Sequence, residues 1–293
     1  MFHASSLSRR EAMSAMTMGA GSLFSQSLES VETLESPRTK PLKGRLKQSV
    51  ARWCYNKIPL EELAKAAAAM GIQAIDLVGP NDWPALKKYG LACSMTAGGG
   101  TIAEGLNRKE NHDRLEREFR ENIPRAAAAG YTNVITFSGN RRGLSDEIGL
   151  ENCVIGLNRV KTVAEENNVT ICFELLNSKI DHKDYQGDHA AWCLDLVKRV
   201  NSPRVRLLYD MYHAQIMDGD IIRTLRDNIQ WIAHFHTGGV PGRHELDDTQ
   251  ELNWATIARA IADTGFTGYV AHEFVPTRDP LTSLREAVQL CDV

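Results

Sequence analysis

The chain has 293 residues, 43% hydrophobic and 24% charged, the composition of an ordinary soluble globular protein, and a formal net charge of −3. That balance argues against a nucleic-acid binder relying on phosphate neutralisation, which needs a basic surface. No apolar run approaches the ~20 residues of a membrane span. Six cysteines at 54, 93, 153, 172, 193 and 291, without C-x-x-C spacing, read as small buried hydrophobes.

The first 44 residues differ from the rest. Ser8-Arg9-Arg10-Glu11-Ala12-Met13 precedes a mild apolar stretch from Met13 to Phe24, a pattern that resembles a twin-arginine export signal, although no A-x-A cleavage site follows. The polar segment from Gln26 to Lys43, with Pro37 and Pro41, reads as a linker. Residues 1–44 are therefore expected to be a disordered signal and linker, and residues 45–293 the folded unit. The localisation expected is the periplasm, or the cytoplasm if the paired arginines are coincidental.

After the linker, short apolar runs alternate with helical patterns. Gln48 to Cys54 reads as a strand, followed by an alanine-rich helix from Leu60 that stops at Gly71, a residue suited to a left-handed cap. Gln73 to Val78 is a second strand, Trp83 to Lys88 a short helix, and Leu91 to Met95 a third strand before the glycine-rich loop Gly98-Gly99-Gly100. Arg108 to Ala129 is a long charged helix with Leu115, Phe119 and Ile123 at helical spacing and a kink expected at Pro124. Asn133 to Phe137 is strand four, and Gly149 to Asn167 is helical. The run Val169-Thr170-Ile171-Cys172-Phe173-Glu174 forms strand five, ahead of a polar loop and a helix through Trp192, Leu196 and Val200. Val205 to Tyr209 is strand six, Ile221 to Asn228 a helix, Ile232 to Phe235 strand seven, Trp254 to Ala262 a helix, Tyr269 to Phe274 strand eight and Leu281 to Leu290 the last helix.

Eight strand–helix units in roughly 250 residues, with strands almost wholly apolar, favour a single-domain (β/α)8 TIM barrel over an open doubly wound sheet. No G-x-G-x-x-G follows the first strand, so the dinucleotide fingerprint is absent.

In such a barrel the C-terminal strand ends form the active face. Glu174, Asp210, His236 and Glu273 fall at the ends of strands five to eight. Each alone is more often a solvated or capping side chain, but four in succession point to a shared metal site. Three carboxylates and one imidazole suit one divalent ion, Mg²⁺, Mn²⁺ or Co²⁺, with Zn²⁺ less favoured. His213, three residues past Asp210, is placed to hydrogen-bond a substrate oxygen or else lies on a surface loop. Arg243, in the loop from His236 to Glu245, can clamp a carboxylate bidentately. Its alternative is a solvent-facing arginine paired with Glu245 or Asp247.

Phe173-Glu174, Asp210-x-x-His213, His234-x-His236 with Val240-Pro241-Gly242-Arg243-His244-Glu245, and His272-Glu273-Phe274 together resemble the xylose isomerase-like TIM barrels, and among them the hydroxypyruvate isomerase branch. The resemblance spans residues 47 to 290. It implies a divalent metal on Glu174, Asp210, His236 and Glu273, Glu174 and Glu273 as an acid/base pair, and His213 and Arg243 in contact with substrate. It further implies an aldose–ketose type isomerase acting on a small hydroxy-oxo acid or sugar by enediolate proton transfer, most simply hydroxypyruvate to tartronate semialdehyde. His236 is shared with the neighbouring ketose 3-epimerases, where the isomerases can carry glutamine. A sugar or inosose epimerase, isomerase or dehydratase is thus the enzymatic alternative, and an exported carbohydrate-binding barrel the non-enzymatic one. A homo-oligomer is compatible with either.

Overall fold

Strand side chains alternate between two faces, and in this chain neither face meets water. β5 (Thr170–Glu174), β2 (Ala74–Asp76) and β4 (Asn133–Thr136) are buried at every position, which requires cover on both sides of the sheet. The computed structural model, which describes residues 41–293, meets this by closing the sheet. β1 (Lys47–Ala51), β2, β3 (Ala92–Gly99), β4, β5, β6 (Val205–Asp210), β7 (Ile232–Thr237) and β8 (Tyr269–His272) form a parallel barrel in sequence order, with β8 pairing back onto β1.

The period of two sorts the side chains. Outward residues such as Val50, Val134, Ile171, Leu207, Phe235 and Val270 pack against the helices in the main core. Inward Met95, Ile135, Cys172 and Leu208 form a separate small cluster that plugs the barrel. Along β5 and β6, this parity puts Cys172 and Leu208 in the plug and Glu174 and Asp210 two residues on, at the mouth.

The outer ring is α1 (Leu60–Ala69), α2 (Trp83–Lys88), α3 (His112–Ala129), α4 (Asp146–Glu166), α5 (Ala190–Val200), α6 (Met211–Met217), α7 (Ile221–Asp227), α8 (Trp254–Asp263) and α9 (Pro280–Leu290). Their limits follow from side-chain chemistry. Ser145 caps α4 by accepting from the amide of Ile148, and Asn253 and Asp279 cap α8 and α9 in the same way. Gly130, at φ +83°, ends α3.

Three local expectations change. The glycine run after Met95 is strand rather than loop, since β3 continues to Gly99. The glycines are needed there because a Cβ on Gly98 would sit 2.6 Å from the Ile135 carbonyl oxygen, and one on Gly99 2.9 Å from the Phe119 ring. β1 ends at Ala51, so Arg52 lies beyond the strand in a 3-10 turn, where its Nη1 donates to the Tyr55 carbonyl at 2.6 Å. α6 begins directly after Asp210.

The arginine pair and apolar stretch of the expected export signal lie outside the described residues. Within them Leu42 already packs on the core, and the amide of Lys43 donates to Asp292 Oδ1 at 2.7 Å. No helix among the described residues is long and apolar enough to cross a membrane. All six cysteines are free, five of them buried.

Candidate active site

Glu174 and Asp210 are the last residues of β5 and β6, His236 is the penultimate residue of β7, and Glu273 follows β8 directly. Barrel closure brings one ligand atom from each within 4.8 Å of all the others, and all four side chains are buried. The four predicted ligands therefore do meet at one point.

Their mutual contacts show what that point requires. His236 Nε2 is taken by Asp76 Oδ2 at 2.8 Å. Its Nδ1 faces Glu273 Oε2 at 2.5 Å, Glu174 Oε1 at 3.2 Å and Asp210 Oδ2 at 3.7 Å. None of the three meets it with hydrogen-bond geometry, so Nδ1 is a buried polar atom without a partner. An unpaired imidazole nitrogen among three carboxylate oxygens is a donor set that fits a divalent cation.

Burial pushes the Glu174 carboxyl up to about 7, with Glu273 and Asp210 adding to the push and His236 opposing it. Burial also disfavours ionised Asp210, yet Arg243 above all, with His213 and His236, holds its carboxyl well below the usual range. His236 is raised despite its burial because Glu273, Asp210, Asp76 and Glu174 surround it. Glu174 and Asp210 therefore differ in proton affinity, the first raised and the second lowered.

Asp210 has a further task. Its Oδ1 accepts from the amides of Tyr212 at 2.9 Å and His213 at 3.2 Å, capping α6. His213 is thus a buried helical residue, not a loop residue as expected. One ring nitrogen lies 2.6 Å from Asn177 Nδ2 and the other 2.8 Å from Arg243 Nη1.

Arg243 is equally far from the solvent-facing alternative. Its Nη2 donates to Asp210 Oδ2 at 2.5 Å and to Glu273 Oε2, and its Nε to the Glu273 carbonyl at 3.0 Å. The guanidinium also lies 4.7 Å from the centre of the Tyr212 ring. Glu245 and Asp247 are occupied elsewhere, by Thr277, Ser283 and Arg278. The backbone makes this reach at φ +57°, a left-handed conformation that a non-glycine residue seldom adopts.

Glu174, His213, Arg243 and Glu273 line a cavity of about 440 Å³. Leu77, Ile102, Ile135, Phe137 and Leu176 are its apolar lining, and Arg243 is the one arginine or lysine among the lining residues. Two contributors were not anticipated. Trp53, 42% exposed, donates from Nε1 to Glu273 Oε1 at 2.5 Å. Asp76 is the last residue of β2 as Glu174 is of β5, but in sequence the apolar run continues through Leu77-Val78 and hides that strand end. Nothing local marks Trp53, which meets its partner 220 residues away.

Comparison with known proteins follows this geometry. A 2-oxo-tetronate isomerase of Cupriavidus necator is 28% identical over 242 residues, covering 76% of this chain and 89% of the relative. A Danio rerio protein provisionally named hydroxypyruvate isomerase is 25% identical over 242 residues, covering 76% and 87%. The crystal structure of an AP endonuclease, family 2, from Brucella melitensis superposes with a TM-score of 0.73 at 24% identity, covering 82% of this chain and 97% of that one, a likeness of fold. Residues 55–292 match the family model described as xylose isomerase-like TIM barrel, and the chain belongs to that family.

Proposed function

We propose that the protein is a divalent-metal-dependent isomerase that moves a proton between adjacent carbons of a small 2-oxo, 3-hydroxy compound, with hydroxypyruvate to tartronate semialdehyde as its reaction. The carrying observation is the convergence of Glu174, Asp210, Glu273 and the unpartnered His236 Nδ1 at the barrel mouth. The names of the two relatives support an isomerase of this substrate class.

A divalent ion held by Glu174, Asp210, His236 and Glu273 would polarise the substrate carbonyl and acidify the adjacent C–H. The chain's own groups supply the proton transfers. One of the two glutamates takes the C3 proton, leaving an enediolate across C2 and C3, and a proton is returned to C2 while the hydroxyl proton passes from O3 to O2. Glu174 and Glu273 are the two carboxylates placed for these transfers. Glu273 is oriented by Trp53 and Arg243. Asp210 is committed to α6 and to Arg243, which leaves it a ligand role. Arg243 is the one arginine or lysine lining the cavity, and to clamp a substrate carboxylate it would exchange one of its contacts with Asp210, Glu273 or His213.

Returning the proton to the opposite face of C3 instead would epimerise a ketose. The size and apolar lining of the cavity favour this second reading, since they leave room for a chain longer than three carbons. The test offers hydroxypyruvate and free ketohexoses to the protein with Mn²⁺ or Mg²⁺. Turnover of hydroxypyruvate is expected. Turnover of ketose alone replaces the first reading by the second, and turnover of neither overturns both. Export by the Arg9-Arg10 pair is also proposed. Fractionating cells that express the chain with and without Arg9→Lys and Arg10→Lys tests it, with loss of periplasmic protein in the variant expected.

A further inference from the structure

Asp76 is a carboxylate fully buried inside the barrel, where the neighbouring plug is Met95, Ile135, Cys172 and Leu208. A buried charge is disfavoured unless each oxygen is matched, and both oxygens here are. Oδ2 accepts from His236 Nε2 at 2.8 Å. Oδ1 accepts from Ser94 Oγ at 2.7 Å and lies 3.3 Å from His234 Nε2. Ser94 is braced in turn by Ser49 Oγ at 2.6 Å. The register of β2 against β3 shifts at Ile75/Asp76, a local irregularity that re-aims side chains next to functional sites. The next residue, Leu77, is held at φ +58°.

We infer that Asp76 is the positioning residue for His236: it holds the Nε2–H edge of the ring, so that Nδ1 presents its lone pair to Glu174, Asp210 and Glu273. An imidazole has one such orientation and one such tautomer only while its other nitrogen is tied down, and a carboxylate partner also raises its basicity. Without Asp76 the ring of His236 could turn about its side-chain bonds, and either nitrogen could carry the proton. Ser94 and Ser49 fix Asp76 against β1 and β3, so the brace runs from β1 through β3 and β2 to β7. The inference rests on the metal reading above.

The test measures binding of Mn²⁺ alone to the metal-free full chain by titration calorimetry. Asp76→Asn is nearly isosteric but uncharged, and should weaken the dissociation constant about 10–100-fold at an unchanged stoichiometry of one. Ser94→Ala leaves the charge but frees Oδ1, and a loss of roughly 3–10-fold is expected on the same physical ground. Circular dichroism and the melting temperature in chelator show whether the metal-free fold is kept. If Asp76→Asn folds and binds within threefold of the parent, the inference is overturned. If it does not fold, Ser94→Ala decides, and unchanged affinity there overturns it. If the parent binds two equivalents and Asp76→Asn one, then Asp76, His234 and His236 form a second cation site, and the positioning role is again overturned. A parent that binds no Mn²⁺ instead defeats the metal reading itself.

Discussion

Replacing Glu273 by glutamine separates proton transfer from metal holding. Glu273 accepts from Trp53 Nε1 and from Arg243 Nη2. Glutamine keeps one carbonyl oxygen for these donors but cannot take up a proton. Loss of an acid/base group lowers kcat by about 10²–10⁴, about 3–5 kcal/mol of barrier at ~1.36 kcal/mol per decade. The control is Asp210→Asn. That side chain is bound on one oxygen by the start of α6 and on the other by Arg243, so its loss should weaken metal binding yet leave kcat at saturating metal within about tenfold. Both variants are assayed for turnover at saturating Mn²⁺, with loading verified by elemental analysis. Incorporation of solvent deuterium at the reacting carbon is followed by NMR, which reads proton transfer even when no product leaves. A Glu273→Gln enzyme within tenfold of the parent, or an Asp210→Asn enzyme with the larger kcat deficit, refutes the assignment of Glu273.

The remaining predictions concern stability. Burial lowers His272 to about 4 from 6.5, so the folded protein binds a proton less readily than the unfolded chain. That stability is complete above pH 6.5 and is lost as pH falls from there through 4, with about 2 kcal/mol lost by pH 5. Urea unfolding at pH 7.5 and 5 should show the parent losing about that much more than His272→Gln, and equal losses refute it. Gly99→Ala would place a Cβ 2.9 Å from the Phe119 ring, and overpacking of this kind costs about 1–3 kcal/mol, read as a lower urea midpoint. Mn²⁺ at a hundred times its dissociation constant should stabilise the metal-free protein by about 2.7 kcal/mol. For a folded unit of this size the melting temperature then rises by roughly 5–11 °C. Scanning calorimetry with chelator and with Mn²⁺ checks it, and no shift counts against the site.

Two physical rules made Glu174, Asp210, His236 and Glu273 legible from the sequence. Parallel strands read as apolar runs, and a closed barrel gathers their C-terminal ends. Neither rule needs a long-range contact to be known in advance. The helix α6 was legible too, since an aspartate directly before a helix-compatible run is a capping signal, but the alternation of strand and helix drew attention to the later helix at Ile221. His213 was consequently assigned to a loop, although the cap that places it uses the very carboxylate singled out as a ligand. Extending β3 to Gly99 required knowing that Phe119 lies across it, which depends on how α3 docks.

Asp76 is the most instructive omission. It ends β2 as Glu174 ends β5, but in sequence its apolar run continues through Leu77-Val78, and it lies outside the arc of β5 to β8. Only closure of the barrel sets it against His236, 160 residues away. The strand-end rule therefore finds candidates, while the closed topology sorts them into roles. A carboxylate whose oxygens converge on the unpaired nitrogen of a histidine is placed to share its cation. One that takes the opposite edge of the same ring is placed to aim it. The two edges of His236 make that division visible, and the Asp76→Asn and Glu273→Gln variants divide along it: the first should act on metal affinity, the second on turnover.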